Sequence, residues 1–242
     1  MASAEQLRDL ADQALLLQAP ESAFEKIELY PTLTGDNALG RQLKTVMWNV
    51  ERELRQQRDA GAQPNDVVMF YYRGREHRRT TGDDGDFVLE DFANRAVVRD
   101  PARRDAAFRD TQSITGTYLS ALFKRLPGAH VVFLDMEDPQ PTIPVAGRYG
   151  HDWPHFPNLG LFRVAWTGPQ PGITNPPGPL LTAVRKATAE PDSDGVVVLG
   201  TIAKVVESYF AGSRSTSVET VVPPDLATLT LARLGRGQSP DR

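Results

Sequence analysis

Cysteine is absent from the 242 residues. That absence removes disulfides, thiolate metal sites, thiol redox chemistry and any cysteine nucleophile. Charge of one sign is lacking too: 27 Lys and Arg stand against 31 Asp and Glu, for a formal net charge of −4 at pH 7. No long-range field gathers nucleic acid or an anionic membrane, so neither is expected as a partner. No window approaches the ~18 consecutive apolar residues that a spanning helix requires. The opening MASAEQLRDLADQ has neither a basic flank before an apolar core nor a small-residue cleavage site. A soluble, cytoplasmic protein is the expectation.

What is present is ordinary for a globular chain, with 40% hydrophobic and 24% charged residues. The length suits one large domain, in which roughly 70–75% of the unfolded surface is buried without any staple. Helical spacing occurs in Leu7, Leu10, Ala14 and Leu17, and again in Leu39, Leu43, Val46, Met47, Val50 and Leu54, the second set after a Thr34-Gly35-Asp36-Asn37 start signal. Phe24, Ile27, Leu29 and Tyr30 lie between them as a short strand-like segment ended by Pro31. Continuous apolar runs then occupy Asp66 to Tyr72, His130 to Asp135 and Leu161 to Thr167, as strands covered on both faces do. A helix over Tyr118 to Leu126 precedes the second run, and Leu180 to Ala187 and Ile202 to Phe210 predict two more helices. Pro223-Pro224 precedes a predicted last strand, Leu226 to Leu234, and 235–242 is expected to be a flexible tail. Asp100 to Thr111 and Pro139 to Pro157 lack periodicity. Alternating strands and helices predict a doubly wound α/β sheet with parallel neighbours, and such sheets gather their sites outside the carboxyl ends of the strands.

At those strand ends the residues carry a resemblance. Asp66-Val-Val-Met-Phe-Tyr-Tyr-Arg-Gly-Arg-Glu76 is similar to the strand ending in Tyr-Ser-Gly-His-Gly that presents the catalytic histidine of caspase-like peptidases (caspases, metacaspases and their prokaryotic relatives). Asp86-Phe-Val-Leu-Glu-Asp-Phe-Ala93 resembles the segment that follows it there. Pro127-Gly-Ala-His-Val-Val-Phe-Leu-Asp-Met-Glu-Asp138 resembles the strand leading to Leu-Asp-x-Cys, which carries that family's nucleophile. Gly178 to Ala187 and Asp194 to Ala203 resemble its later helices. The likeness covers about residues 24 to 234 and lies in the order and spacing of the pieces. It implies a three-layer sandwich of the caspase–hemoglobinase type, with a mostly parallel central sheet flanked by helices, in a single domain over 1–234. The family's first strand is missing from its usual place ahead of the first helix, here Glu5 to Gln18. Either it is supplied from elsewhere, or the domain has lost it, or the chain is a fragment of a longer protein.

The departures fall on the chemistry. Residue by residue, the histidine position is Arg75 and the cysteine position is Glu137, and Arg73, Glu76, Asp138 and Pro139 replace their small neighbours. A guanidinium with a pKa above about 12 is no base at neutral pH, and a carboxylate is a poor nucleophile toward an amide. The expectation is a pseudoenzyme: no catalytic residue, with Arg75 and Glu137 as the degenerate dyad, facing each other as an ion pair. A cleft formed by Arg73, Arg75, His77, Asp135, Glu137, Asp138 and Trp166 would take a protein partner or peptide segment, in a bacterial signalling or defence system. The alternative is a hydrolase or metal-dependent enzyme using Asp135, Glu137, Asp138 and His77 at the same strand ends.

Other features carry less. Arg73, Arg75, Arg78 and Arg79 have compensating neighbours in Glu76, Asp83, Asp84 and Asp86, so a solvated loop is expected. Gly82-Asp-Asp-Gly-Asp86 lacks the 12-residue calcium-loop pattern and suits a hairpin turn. His151 and His155 have helical spacing, but Pro154 between them opposes a helix, so no metal site is assigned and no cofactor is expected. Trp153 and Trp166 are expected to pack, and the Pro-rich loop 139–160 to cover the cleft or dock a partner. Leu226 to Leu234, as a sheet edge, is the expected surface for a homodimer.

Overall fold

The computed structural model describes residues 22–24, 38–61, 66–79, 86–137, 157–166, 178–189, 194–213 and 216–234, together with Asp9, Gln13, Glu28, Tyr30 and Leu33. Most of the Glu5 to Gln18 helix, the Thr34 to Asn37 start signal, the 82–85 turn, Asp138, His151, Trp153, His155 and the tail lie outside the described residues.

Three of the apolar runs form the sheet centre. Strand β1 (Val67–Arg78) pairs in parallel with β3 (Ala129–Glu137), and β3 in parallel with β4 (Leu159–Trp166). Both flanks are antiparallel: β2 (Phe87–Leu89) on the end of β1, and β6 (Thr216–Val221) along β4. The five-stranded order is β2-β1-β3-β4-β6. The sheet is therefore mixed, a correction to the mostly parallel one expected. Two pairings make it so: β1 does not stop at Tyr72 but runs on to Arg78 and pairs antiparallel with β2, with Arg78 opposite Phe87, and β6 runs antiparallel to β4. The β1–β2 hairpin is what the Asp-Gly turn signal predicts.

Helices cover both faces. On one, α5 (Pro179–Ala189) and α6 (Leu199–Phe210) set Leu180, Leu181, Val184, Ile202 and Val206 against Val131, Phe133, Phe162 and Val164. On the other, α1 (Gly40–Asp59) and α4 (Gly116–Arg125) set Met47, Leu119, Leu122 and Phe123 against Phe70, Val132, Leu134 and Leu161. Side chains alternate along a strand, so every second residue of β3 serves each core. This is why it carries the apolar run Val131 to Leu134, with residues for both cores in alternation. A short helix, α2 (Arg95–Val98), precedes the charged stretch that showed no periodicity, and another, α3 (Arg104–Arg109), lies within it.

Helix starts are tied down in two ways. Thr115 caps α4 locally, its hydroxyl accepting from the Tyr118 N–H at 3.0 Å. Helix α1 has Leu39 at its cap position, which offers no side-chain acceptor, and the Gly40 N–H instead donates to Asp91 Oδ2 at 2.7 Å. A carboxylate at that end also complements the helix dipole. Asp91 is itself held by a reciprocal pair of bonds with Asn94, 2.7 and 2.8 Å long.

The C-terminal part corrects a further expectation. Leu226 to Leu234 is not one strand, because Pro223-Pro224 opens a helical turn, α7 (Pro224–Ala227), in which the Leu226 N–H bonds the Pro223 carbonyl. The strand that follows, β7 (Thr230–Arg233), pairs with β5 (Val196–Val198) in a separate two-stranded sheet. Its other side is met by Ser22 and Ala23, the Ala23 N–H bonding the Leu231 carbonyl at 2.9 Å. The edge invoked for a homodimer is therefore occupied at that point. The outer strand of the central sheet on the β4 side is β6, whose Thr-Ser-Val-Glu-Thr-Val sequence has no apolar run to mark it.

Candidate functional site

Parallel register places Arg73 beside Asp135 and Arg75 beside Glu137, all four on the sheet face that carries α5 and α6. The expected ion pair is present. Arg75 Nη2 lies 2.5 Å from Glu137 Oε1, with the side chains 41% and 31% exposed. The hydrogen bond to Glu137 raises the Arg75 pKa further. The guanidinium thus stays a cation, unable to take a proton from a nucleophile.

The pair belongs to a larger charged group that β2 brings in. Beyond the last paired residue of β2, the Glu90 N–H donates to the Arg75 carbonyl at 2.8 Å. The Glu90 carboxylate then meets His77 Nε2 at 2.8 Å and Arg99 Nε at 3.0 and 3.1 Å, and Arg99 Nη2 also bonds Oε1. Burial pushes the Glu90 carboxyl up, but the bonds from His77 and Arg99 outweigh it and hold the group at about 2. Arg75, Arg99, Glu90 and Glu137 therefore gather near the strand ends as a group of opposite charges, with His77 hydrogen-bonded to Glu90. His77 is buried and turned to Glu90, which uses its Nε2.

On the opposite sheet face, Gly74 admits Tyr72. A Cβ on Gly74 would come 2.4 Å from the Tyr72 hydroxyl, so only glycine lets the ring fold along its own strand. The hydroxyl donates to the Glu90 carbonyl at 2.9 Å and lies 3.1 Å from the Arg75 carbonyl, stitching the hairpin together. Beside it Glu76 is 1% exposed, and its carboxylate pairs with Arg163, also 1% exposed, through Nη2 and through Nε at 3.3 Å. Glu219 sits opposite Arg163 in the β4–β6 register, its carboxyl raised by burial and lowered in part by Arg163. Glu76 is thus a core residue and not the loop charge expected to balance the arginine row.

Asp135 lies deeper than expected. It is 0% exposed and so underlies the cleft without lining it. Its Oδ1 accepts from the Leu180 N–H at 3.4 Å, its Oδ2 from the Tyr71 hydroxyl at 3.3 Å, and a Cβ on Gly178 would fall 1.8 Å from Oδ2. Burial drives the Asp135 carboxyl up to about 7, against the lowering effects of Arg73, Leu180 and Tyr71. Trp166, in register with Glu137, is 7% exposed and packs into the α5/α6 core, so it is not a surface platform. Of the expected cleft residues, Arg73, Arg75 and Glu137 remain partly accessible on one face. Glu90, Arg99, Arg163 and Glu219 were not anticipated. Arg163 had a signal, a charge in the middle of an otherwise apolar run. Among the described residues no group of three His, Asp or Glu is placed to hold a metal ion, and no helix is long and apolar enough to cross a membrane.

Comparison with models of known protein families finds none that matches the chain. Comparison with curated proteins likewise finds no match.

Proposed function

We propose that the chain is a caspase-like domain that has lost peptidase chemistry and acts by binding a protein or peptide segment, in a regulatory or scaffolding role within a bacterial signalling or defence system. The observation that carries this reading is the Arg75–Glu137 pair, 2.5 Å apart on adjacent parallel strands at the places where the resemblance puts base and nucleophile. Two reacting groups are replaced by two groups that neutralise each other, in a chain with no cysteine. A three-layer α/β arrangement and a hairpin immediately after the histidine position support the same assignment.

The test is turnover. A panel of fluorogenic peptides with acidic and basic P1 residues, with and without calcium, is expected to give no cleavage above a buffer blank. Cleavage that disappears in Glu137→Ala would overturn the proposal. The second reading, an acid–base enzyme using Asp135, Glu137, Asp138 and His77, is favoured by one observation, the Asp135 carboxyl held near neutrality. Its complete burial and the commitment of His77 to Glu90 weigh against either touching a substrate.

A further inference from the structure

Helix α5 begins at Pro179, which has no N–H, so Leu180 supplies the first backbone donor at that end. The residue before the helix is Gly178, whose carbonyl accepts from the Thr182 N–H at 3.0 Å and whose side chain is only a hydrogen. The cap is therefore taken from another element. Asp135 at the end of β3 receives the Leu180 N–H on one oxygen and the Tyr71 hydroxyl on the other, and Gly178 lies so close that any side chain there would overlap the carboxyl. One fully buried acidic group thus joins the central strand, β1 and the first turn of α5.

We infer that Asp135 is a proton-operated latch on the first turn of α5: protonated, it lets the turn seat against the end of β3, and ionised, it favours release of that turn into water. The driving force is solvation. A buried carboxylate lacks the water it would have with the turn displaced, so the seated form prefers the neutral acid and the released form the anion. The groups facing Asp135 do not cancel this preference. From β1 come Tyr71 and Arg73, from α5 the Leu180 N–H, from β4 the uncharged Val164, and along β3 itself Glu137, already engaged with Arg75. Arg73 is the only cation among them acting on Asp135, and its attraction is too weak to offset the burial of the anion. The seated carboxyl value of about 7 sets the upper end of the transition close to physiological pH. The inference stands independently of the proposed loss of peptidase function, since it uses only the seating of α5.

Amide hydrogen exchange of the α5 segment in the full chain, followed from about pH 5 to about pH 9 and corrected for intrinsic base catalysis, tests it. Protection of the Leu180 to Val184 amides is expected to fall, by up to about tenfold per pH unit, as pH rises from about 5 to about 7, and to level off above that, where the seated form is ionised as well. In Asp135→Asn the corrected protection is expected to be flat, and in Arg73→Gln the pH at which protection levels off is expected to move higher. Wild-type protection that does not vary with pH, or that falls equally in Asp135→Asn, overturns the latch. Should Asp135→Asn fail to fold, a levelling-off pH that does not move in Arg73→Gln overturns it as well.

Discussion

Two arginine–glutamate pairs, on opposite faces of one sheet, show how position alone changes what the same chemistry contributes. Arg75 and Glu137 join neighbouring strands at the solvent-facing ends, with about a third or more of each side chain exposed. Arg163 and Glu76 reach from β4 to β1 across the intervening β3 and are sealed from water. For the exposed pair, screening and side-chain entropy offset most of the attraction. For the sealed pair, neither ion can be left alone. The first is a partly exposed link between two strand ends, and the second ties the extended end of β1 to β4.

The largest expected effect breaks the sealed pair. Arg163→Met leaves Glu76 as an uncompensated buried charge and should cost about 3–5 kcal/mol in chemical denaturation, whereas replacing both members by apolar residues should recover much of that loss. A double variant no more stable than Arg163→Met would mean that the pair is not the source of the cost.

The next largest effect concerns Asp135, a buried acid whose burial outweighs the pull of Arg73. Its folded value of about 7 lies above the ordinary value of 3.8, so the native state binds the extra proton. The stability that this proton supplies is complete below about pH 4 and is lost as pH rises through 7, on the order of a few kcal/mol in all. Asp135→Asn should abolish that decline in a series of denaturation curves across pH. Glu90 has the opposite sign. Its carboxyl is held at about 2 against an ordinary value of 4.5, so its contribution is present above about pH 4.5 and is lost as pH falls toward 2. Glu90→Gln should cost about 1–3 kcal/mol at pH 7 and flatten the acid limb.

The smallest effect is that of the exposed pair. Glu137→Gln should change stability by about 0–1 kcal/mol, less at high salt, and leave the far-ultraviolet circular dichroism unchanged. A loss as large as that of Arg163→Met would erase the distinction between the two faces.

The sequence made the two kinds of region unequally legible. Long apolar runs between helical periods reveal the first half of β1, most of β3 and β4, because a strand covered on both faces is mostly apolar, Arg163 being the interruption in β4. The meeting of Arg75 with Glu137 is expected from the places the resemblance gives them, and the β1–β3 register brings them together. The short or polar elements leave no such trace: β5 has three residues, β6 alternates Thr, Ser and Glu with valine at an edge, and α7 is a single turn opened by a proline pair. Contacts that skip a strand are equally silent. Nothing in the local pattern around Glu76 or Arg163 encodes a partner two strands away, and Glu90 finds His77 only because the hairpin folds back. The burial of Asp135 and Trp166 depends on where α5 lands, which no spacing within β3 or β4 specifies.

The capping of α1 by Asp91 sets an order of events during synthesis. Gly40 and Asp91 are 51 residues apart, and the whole of β1 and β2 is made between them. As α1 leaves the ribosome the Gly40 N–H has no side-chain acceptor at the cap position, since Leu39 provides none. The helix start is completed only when the chain has turned back through the hairpin and delivered the Asp91–Asn94 bracket. A nascent chain stalled before residue 91 is therefore expected to carry an α1 that frays from its N-terminus, and one stalled after α2 to carry a closed one. The helix made early is, at its start, one of the later parts to be finished.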